Sequence, residues 1–228
     1  MNAAPLIELD NVSVTHAAGT EPLLDNVNWQ LMRGEFWVLA GDQGSGKSAL
    51  LATMAGLQRP AAGTVRIKGR DWSDAPEPEQ MAWRREIGFV FELHGRLLHH
   101  LTVLENIALP LQYHFDEKTT AKAEALLDRA GLAAVAHQLP SRLSPRLQQR
   151  VSLLRALACP TEVLFLDNPL NGLATSGVKW WIDFLATWRA ETPVTVVATS
   201  NEPDGWRGLA DRHATIEGGR LNLMDGAN

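Results

Sequence analysis

Alternating apolar and polar residues occupy much of the first third of the chain. Segments 6–15 and 64–69 alternate in this way and are rich in β-branched residues, and segment 23–31 alternates more weakly. A period of two is typical of strands that bury one face and expose the other. These segments therefore predict a short antiparallel layer in the N-terminal third.

Three later segments are almost wholly apolar, which is the pattern of strands covered on both faces. They are segments 35–40, 162–167 and 193–200, and we expect them to form a central parallel sheet. Apolar residues recur at helical spacing between these strands, and helix-ending residues lie near the ends of three helical segments. The helical segments are 47–57, 119–132, 147–158 and 177–190, with Gly56, Gly131 and Pro160 near the ends of the first three.

The stretch from about Thr102 to Arg150 contains helical patterns and no convincing strand. It is therefore predicted to be a helical insertion on the sheet core. Strands that alternate with helices indicate an α/β fold, in which ligands bind at the carboxyl ends of the strands.

Composition and charge narrow the class of protein. The chain has 228 residues, of which 45% are hydrophobic and 21% charged, and these values indicate one folded domain. Its formal net charge is −5 and it has no run of Lys or Arg, so a nucleic-acid partner is not expected. Cys159 is the only cysteine, which excludes an intramolecular disulfide and a multi-cysteine metal site. Because no apolar run reaches the length of a membrane span and the N-terminus lacks a secretion signal, we expect a soluble chain that is not secreted.

The tryptophans form a second pattern. There are eight, and Trp180, Trp181 and Trp188 recur at helical spacing in segment 177–190. This helix face could be a surface for a partner, or it could pack on the chain's own sheet. The second interpretation is favoured because aromatic stripes at helical spacing commonly belong to a core.

A glycine-rich segment carries the strongest chemical signal in the chain. Residues 41–48 read GDQGSGKS, which fits the phosphate-loop pattern G-x-x-x-x-G-K-S between an apolar strand and a helix. Lys47 would hold the β- and γ-phosphates, and Ser48 would bind Mg²⁺. Asp167, at the end of another apolar strand, would be the acidic ligand of the same Mg²⁺. The predicted phosphate-binding residues are Gly41, Asp42, Gln43, Gly44, Ser45, Gly46, Lys47, Ser48 and Ala49.

The order of the motifs resembles the ATP-binding subunits of ATP-binding-cassette (ABC) transporters over about residues 5–225. The shared segments are the phosphate loop, IGFVFE before HLTVLENIALPL, LSPRLQQRVSLLRALA, VLFLDNP and VVATS. The resemblance implies an α/β fold of the P-loop NTPase (RecA-like) type, with a parallel-sheet core, an N-terminal antiparallel β layer and an inserted α-helical subdomain. It places the core at about 1–91 and 151–228 and the helical subdomain at about 92–150, within one domain.

The chain departs from this family at the residues that hydrolyse ATP. The resemblance places Asn168 where the family has its general base, a glutamate, and Ser200 where it has a switch histidine. It places Glu92 where the family has a glutamine that bridges Mg²⁺, water and the transmembrane partner. A carboxamide can hydrogen-bond a water but cannot accept its proton at neutral pH. A carboxylate at 92 can still bind Mg²⁺.

The signature loop also differs from the family, because it reads LSPRL in place of LSGGQ. Ser144 keeps the hydroxyl, and Pro145 suits the first position of a helix but lacks an N–H donor. Arg146 adds a cation that could contact phosphate. His16 corresponds to the aromatic residue that stacks on adenine, and segment 171–174 lacks the family's usual aspartate.

Three hypotheses follow from the resemblance. The first is an ATP·Mg²⁺-binding subunit with impaired hydrolysis, which couples through the region of Glu92–Pro110 to an integral membrane subunit and pairs with an identical or different cassette. It would lie in the cytoplasm on the inner face of the membrane. The second is a working ATPase in which Glu92 or a pairing subunit compensates. The third is a soluble nucleotide-binding regulator. Segment 83–111 looks most like subunits that serve lipid, lipoprotein or cell-division exporters.

Overall fold

Two β-sheets form the framework of the computed structural model, which describes residues 4–15, 22–92, 96–113 and 118–224. The first sheet is antiparallel, with strand order β2-β1-β4-β5. Leu9 lies in its middle strand and pairs with Trp29 on one side and Val65 on the other. The predicted antiparallel layer is therefore confirmed. Its strands are β1 (Ile7–Thr15), β2 (Pro22–Leu31), β4 (Ala62–Ile67) and β5 (Arg70–Asp71).

The second sheet has six strands in the order β10-β9-β3-β8-β7-β6. All neighbouring pairs are parallel except β9 and β10. The three predicted central strands correspond to β3, β8 and β7 and are adjacent, whereas β6, β9 and β10 were not predicted. The strands are β3 (Phe36–Gly41), β6 (Ile87–Val90), β7 (Val163–Leu166), β8 (Thr195–Ser200), β9 (Arg212–Glu217) and β10 (Arg220–Met224).

Helices flank the sheets and fill the region between β6 and β7. That region contains no strand among its described residues, as the sequence predicts. The first helix ends before Gly56, which has a left-handed φ of 67° and no Cβ; a Cβ there would lie 2.4 Å from the ring of Trp72. The helices are α1 (Lys47–Met54), α2 (Glu77–Arg85), α3 (Val103–Tyr113), α4 (Thr119–Arg129), α5 (Pro145–Leu157) and α6 (Thr175–Glu191).

The central sheet is buried on both faces. Along β3, Phe36 and Val38 belong to a hydrophobic cluster shared with the helical region, while Trp37 and Leu39 belong to a cluster shared with the antiparallel sheet. Strands β7 and β8 alternate in the same way. This two-sided burial explains why the predicted strands read as continuous apolar runs.

The tryptophans of α6 pack within the fold. Trp181 is only 1% exposed. Trp180, Phe184 and Trp188 form a stacked ladder with ring centroids 5.0 and 6.1 Å apart, and Arg150 of α5 covers the Trp180 ring at 4.2 Å. Trp181 shares a hydrophobic cluster with Phe36 and Val196 of the central sheet, as the packing interpretation expects, while the ladder joins α6 to α5.

Two expectations from the sequence concern membrane-spanning helices and the single cysteine. Among the residues it describes, no helix is both long and apolar enough to cross a bilayer. Cys159 is buried and, as the only cysteine of the sequence, forms no intramolecular disulfide.

Candidate functional site

The phosphate-loop segment folds into a turn between β3 and α1. Lys47 lies inside this turn, where its Nζ donates hydrogen bonds to the carbonyl oxygens of Gly41 and Asp42, both at 2.7 Å. Gly46 has a φ of 101°, and a Cβ there would lie 3.1 Å from Cγ of Leu24. Glycine is therefore needed for both the left-handed conformation and the close approach of β2.

Lys47 carries its charge in a largely desolvated place. Its side chain is 6% exposed. Burial lowers the pKa of the Lys47 ammonium, and the negative charges of Asp167, Glu92 and Asp42 oppose that shift. An anion that entered the turn would meet a cation that water screens poorly.

Asp167 lies at the carboxyl end of β7, opposite the start of α1. Its Oδ1 accepts hydrogen bonds from the hydroxyls of Ser48 and Thr199, both at 2.9 Å. Burial raises the pKa of Asp167, and these two hydrogen bonds lower it in part. The structure thus brings together the hydroxyl and the carboxylate that were predicted to bind Mg²⁺. Oxygen ligands of this kind suit a hard divalent cation.

Thr199 is a site residue that the sequence analysis missed. It is fully buried in β8, donates to Asp167 and accepts a 2.8 Å hydrogen bond from the backbone N–H of Asn168. The sequence offered one indication of this role, a hydroxyl near the end of a strand whose pattern is otherwise typical of a buried core strand. Thr199 fixes both Asp167 and the residue that follows it.

Glu92 and Asn168 form a direct contact across the site. Nδ2 of Asn168 donates to Oε1 of Glu92 at 2.8 Å, and Nδ2 of Asn171 reaches the same oxygen at 3.4 Å. Asn168 has a left-handed φ of 47°, a conformation that asparagine tolerates better than most residues. The side chain predicted at the position of the base is therefore engaged as a donor.

An open cleft of about 170 Å³ joins these groups. Gly41, Asp42 and Ser45 shape the loop but do not line this cleft, and Leu23 and Asn201 line it without having been predicted. The cleft is lined by Leu23, Gln43, Gly44, Gly46, Lys47, Ser48, Ala49, Glu92, Asp167, Asn168 and Asn201.

Ser200 lies outside this cleft. Its hydroxyl donates to the carbonyl of Glu202 at 2.8 Å and accepts from the N–H of the same residue at 3.1 Å. It lines a neighbouring cleft of about 360 Å³, which also contacts Asn168. Ser200, at the predicted switch position, therefore lies close to the site, but its hydroxyl is hydrogen-bonded to the backbone of Glu202.

The signature residues also lie away from the cleft, at the start of α5. Ser144 caps the helix, because its hydroxyl accepts from the N–H of Leu147 at 3.4 Å, and Pro145 is the first helical residue, as predicted. Arg146 is exposed and donates to the carbonyl of Gly172 at 3.4 Å. His16, predicted to stack on adenine, lies outside the described residues.

The fold and the phosphate loop define a P-loop nucleotide-binding protein. The family described as ABC transporter matches residues 24–171. The chain is also 34% identical over 226 residues to an uncharacterised ABC transporter ATP-binding protein of Mycobacterium tuberculosis, with 97% of this chain and 90% of that protein covered. The chain therefore belongs to the ATP-binding proteins of the ABC transporter family.

Other similarities agree with this family. The chain is 34% identical over 218 residues to the methionine import ATP-binding protein MetN of Caulobacter vibrioides, which covers 95% of this chain. The chain spans 65% of the length of that relative. Dimeric structures of the ATP-binding cassette MJ0796, one of them bound to ADP and phosphate, match with a TM-score of 0.86 at 31% identity. The match covers 97% of this chain and 100% of the MJ0796 chain.

Proposed function

We propose that this chain is an ATP-binding subunit of a transport complex that binds ATP with Mg²⁺ and hydrolyses it very slowly or not at all. One observation carries the proposal. The residue directly after Asp167 is an asparagine, and its carboxamide donates to Glu92 at 2.8 Å instead of offering a carboxylate to a water. Membership of the ABC transporter family supports the nucleotide and the transport role.

The retained groups fit a nucleotide triphosphate with its cation. The backbone N–H groups of residues 41–49 and the Lys47 ammonium would bind the phosphates, since the turn has the glycines that close approach requires. Ser48, Asp167 and Glu92 would hold Mg²⁺, which supplies charge neutralisation when bound. The buried ammonium and the paired hydroxyl and carboxylate favour this assignment.

Slow hydrolysis follows from the lack of a carboxylate at position 168, directly after Asp167. An amide cannot take a proton from water at neutral pH, and loss of a general base typically costs about 10²–10⁴-fold in rate. Asp167 is engaged by two hydroxyls, and the Ser200 hydroxyl is engaged by Glu202. The remaining carboxylate is Glu92, so an active ATPase that uses Glu92 or a residue of a pairing subunit is the alternative.

Binding without turnover should appear as thermal stabilisation. With Mg²⁺ present and ATP at about 100 times its Kd, the folded state should gain about 2.7 kcal/mol, and ADP should stabilise it less because it lacks the γ-phosphate. Differential scanning fluorimetry measures both shifts, and a phosphate assay on the same sample measures turnover. The absence of an ATP shift would contradict nucleotide binding, while rapid phosphate release would favour the active ATPase.

A membrane subunit is the proposed partner, and the region of residues 92–111 is its proposed docking surface. Leu97, Leu98 and Leu101 are the apolar candidates for this contact before α3, but Leu97 is 4% exposed and belongs to the chain's own core. Leu98 is 37% exposed, and Asn106 fixes its backbone through hydrogen bonds of 2.8 and 3.0 Å. Leu98 is therefore presented outward on a rigid support.

The change Leu98→Asp should abolish co-purification with a genomically adjacent membrane subunit and leave ATP binding intact. Desolvating a carboxylate in an apolar contact is costly. The matched control is Leu223→Asp, since Leu223 is 44% exposed on β10, away from this surface. Association that survives the Leu98 change, and every other substitution in 92–111, would favour docking elsewhere or a soluble regulator.

A second cassette is the other proposed partner, identical or different. The dimeric structures of MJ0796 support this pairing. In a pair, the exposed Arg146 would place a cation near the partner's triphosphate, where Glu92 adds a negative charge. The exporter-like subgroup indicated by segment 83–111 stays a prediction.

A further inference from the structure

One oxygen of Glu92 is held by two carboxamides. Asn168 and Asn171 both donate to Oε1, at 2.8 and 3.4 Å, from the segment that follows β7. Within the described part of the chain, the other oxygen of Glu92, Oε2, accepts no hydrogen bond, and Glu92 lines the cleft that contains Lys47 and Ser48.

The two amides are held in place by their backbone. The N–H of Asn171 donates to the carbonyl of Asn168 at 3.2 Å, which closes a turn, and the N–H of Asn168 donates to Thr199 at 2.8 Å. The left-handed φ of Asn168 turns the chain at this point. The backbone that carries both amides is therefore fixed at the end of β7, beside Asp167.

We infer that Asn168 and Asn171 form an amide clamp, a pair of positioning residues that orients the Glu92 carboxylate toward the cation of the bound nucleotide. This inference rests on the proposed binding of ATP with Mg²⁺. The clamp gives Asn168 a role of its own, distinct from the loss of a base.

Neutral donors suit this task. A Lys or Arg hydrogen-bonded directly to Glu92 would offset its negative charge, whereas an amide orients the carboxylate and adds no charge of its own. Because both amides bind the same oxygen, the second oxygen is left for the metal. Without the clamp, the Glu92 side chain would exchange among rotamers. The entropy lost when metal binding orders this side chain would then oppose binding.

The test is the Mg²⁺ concentration that gives half-maximal binding of a fluorescent ATP analogue at fixed nucleotide concentration. Asn168→Gly keeps the left-handed backbone accessible, and Asn171→Ala removes the second amide. We expect the double variant to need about tenfold more Mg²⁺, since hydrogen bonds to a charged group are among the stronger ones. Asn222→Ala, on the exposed edge strand β10, should leave the requirement unchanged.

A Glu92→Ala background separates positioning from a structural effect. If the clamp acts through Glu92, the same double change there should alter the Mg²⁺ requirement less than about twofold. Thermal unfolding without nucleotide checks that each variant is folded, and Asn171→Gln should restore part of the effect of Asn171→Ala.

The outcomes distinguish the two proposals. ATP binding with an unchanged Mg²⁺ requirement in the double variant would overturn the clamp and leave the proposed function standing. An equal effect with and without Glu92 would also overturn the clamp. Failure of the wild-type chain to bind the ATP analogue would overturn the proposed function and the clamp together.

Discussion

Replacing Asn168 by glutamate should leave phosphate release at its background level, although this change supplies the missing carboxylate. The amide of Asn168 donates to Glu92 at 2.8 Å, so a glutamate in its place would put a carboxylate beside a carboxylate, with Asp167 close by. Like charges at this distance oppose joint ionisation. The backbone at 168 is also left-handed, which disfavours glutamate relative to asparagine.

Three combined changes should succeed where the single change fails. Asn168→Glu combined with Glu92→Gln keeps an amide next to a carboxylate and exchanges their positions. Ser200→His adds an imidazole that lines the neighbouring cleft of about 360 Å³. We expect the triple variant to release phosphate about 10²–10⁴-fold faster than the wild-type chain. The gains should be strongly non-additive, because catalytic groups act as a unit.

A steady-state phosphate assay with Mg²⁺ and ATP measures these rates. The control adds Lys47→Ala to the triple variant, which should return the rate to background and so exclude a contaminating ATPase. Phosphate release by the wild-type chain that depends on Lys47 would refute the proposal and favour an active enzyme that uses Glu92.

Lys47→Ala should weaken ATP binding by about 100-fold or more, the largest effect on affinity that we expect from one residue. Lys47 is 6% exposed and lines the cleft, so its ammonium would meet the phosphates with little screening by water, which would strengthen its charge-assisted hydrogen bonds. Its removal would also leave Asp167 and Glu92 as uncompensated negative charges beside a triphosphate. A 100-fold loss corresponds to about 2.7 kcal/mol.

Isothermal titration calorimetry with Mg²⁺ present compares the two affinities. Lys179→Ala is the matched control, because Lys179 lies on the exposed surface of α6 and pairs with Asp183 one turn along the helix at 2.9 Å. Equal ATP affinity in the wild-type chain and the Lys47 variant would show that the turn does not bind phosphates.

The contiguous parts of the site were predictable from sequence. The phosphate loop is a single run of residues, and Asp167 ends an apolar strand, so both are visible without knowing the fold. The contact between Glu92 and Asn168 joins positions 76 residues apart and depends on β6 lying beside β7. Strand β6 has only four residues, and such a short run carries no clear period.

Other parts of the fold were hidden for similar reasons. Helix α2 buries only Trp83, so it has no apolar stripe to detect. Strand β9 is largely polar in sequence, and β10 alternates over only five residues, so both are recognised by their pairing with β3 and with each other. Glycine is disfavoured inside strands, but a Cβ at Gly88 of β6 would lie 2.8 Å from the carbonyl of Ala156, so glycine allows α5 to approach the sheet.

The alternation of β3 between the two hydrophobic clusters has a genetic consequence. Phe36 and Val38 face one cluster, while Trp37 and Leu39 face the other. A deletion of one codon within the strand would therefore move every later side chain of β3 to the opposite face of the sheet. A substitution there changes one contact, whereas such a deletion changes them all. Inherited changes of length should therefore accumulate in the connections between strands and leave the strand lengths constant.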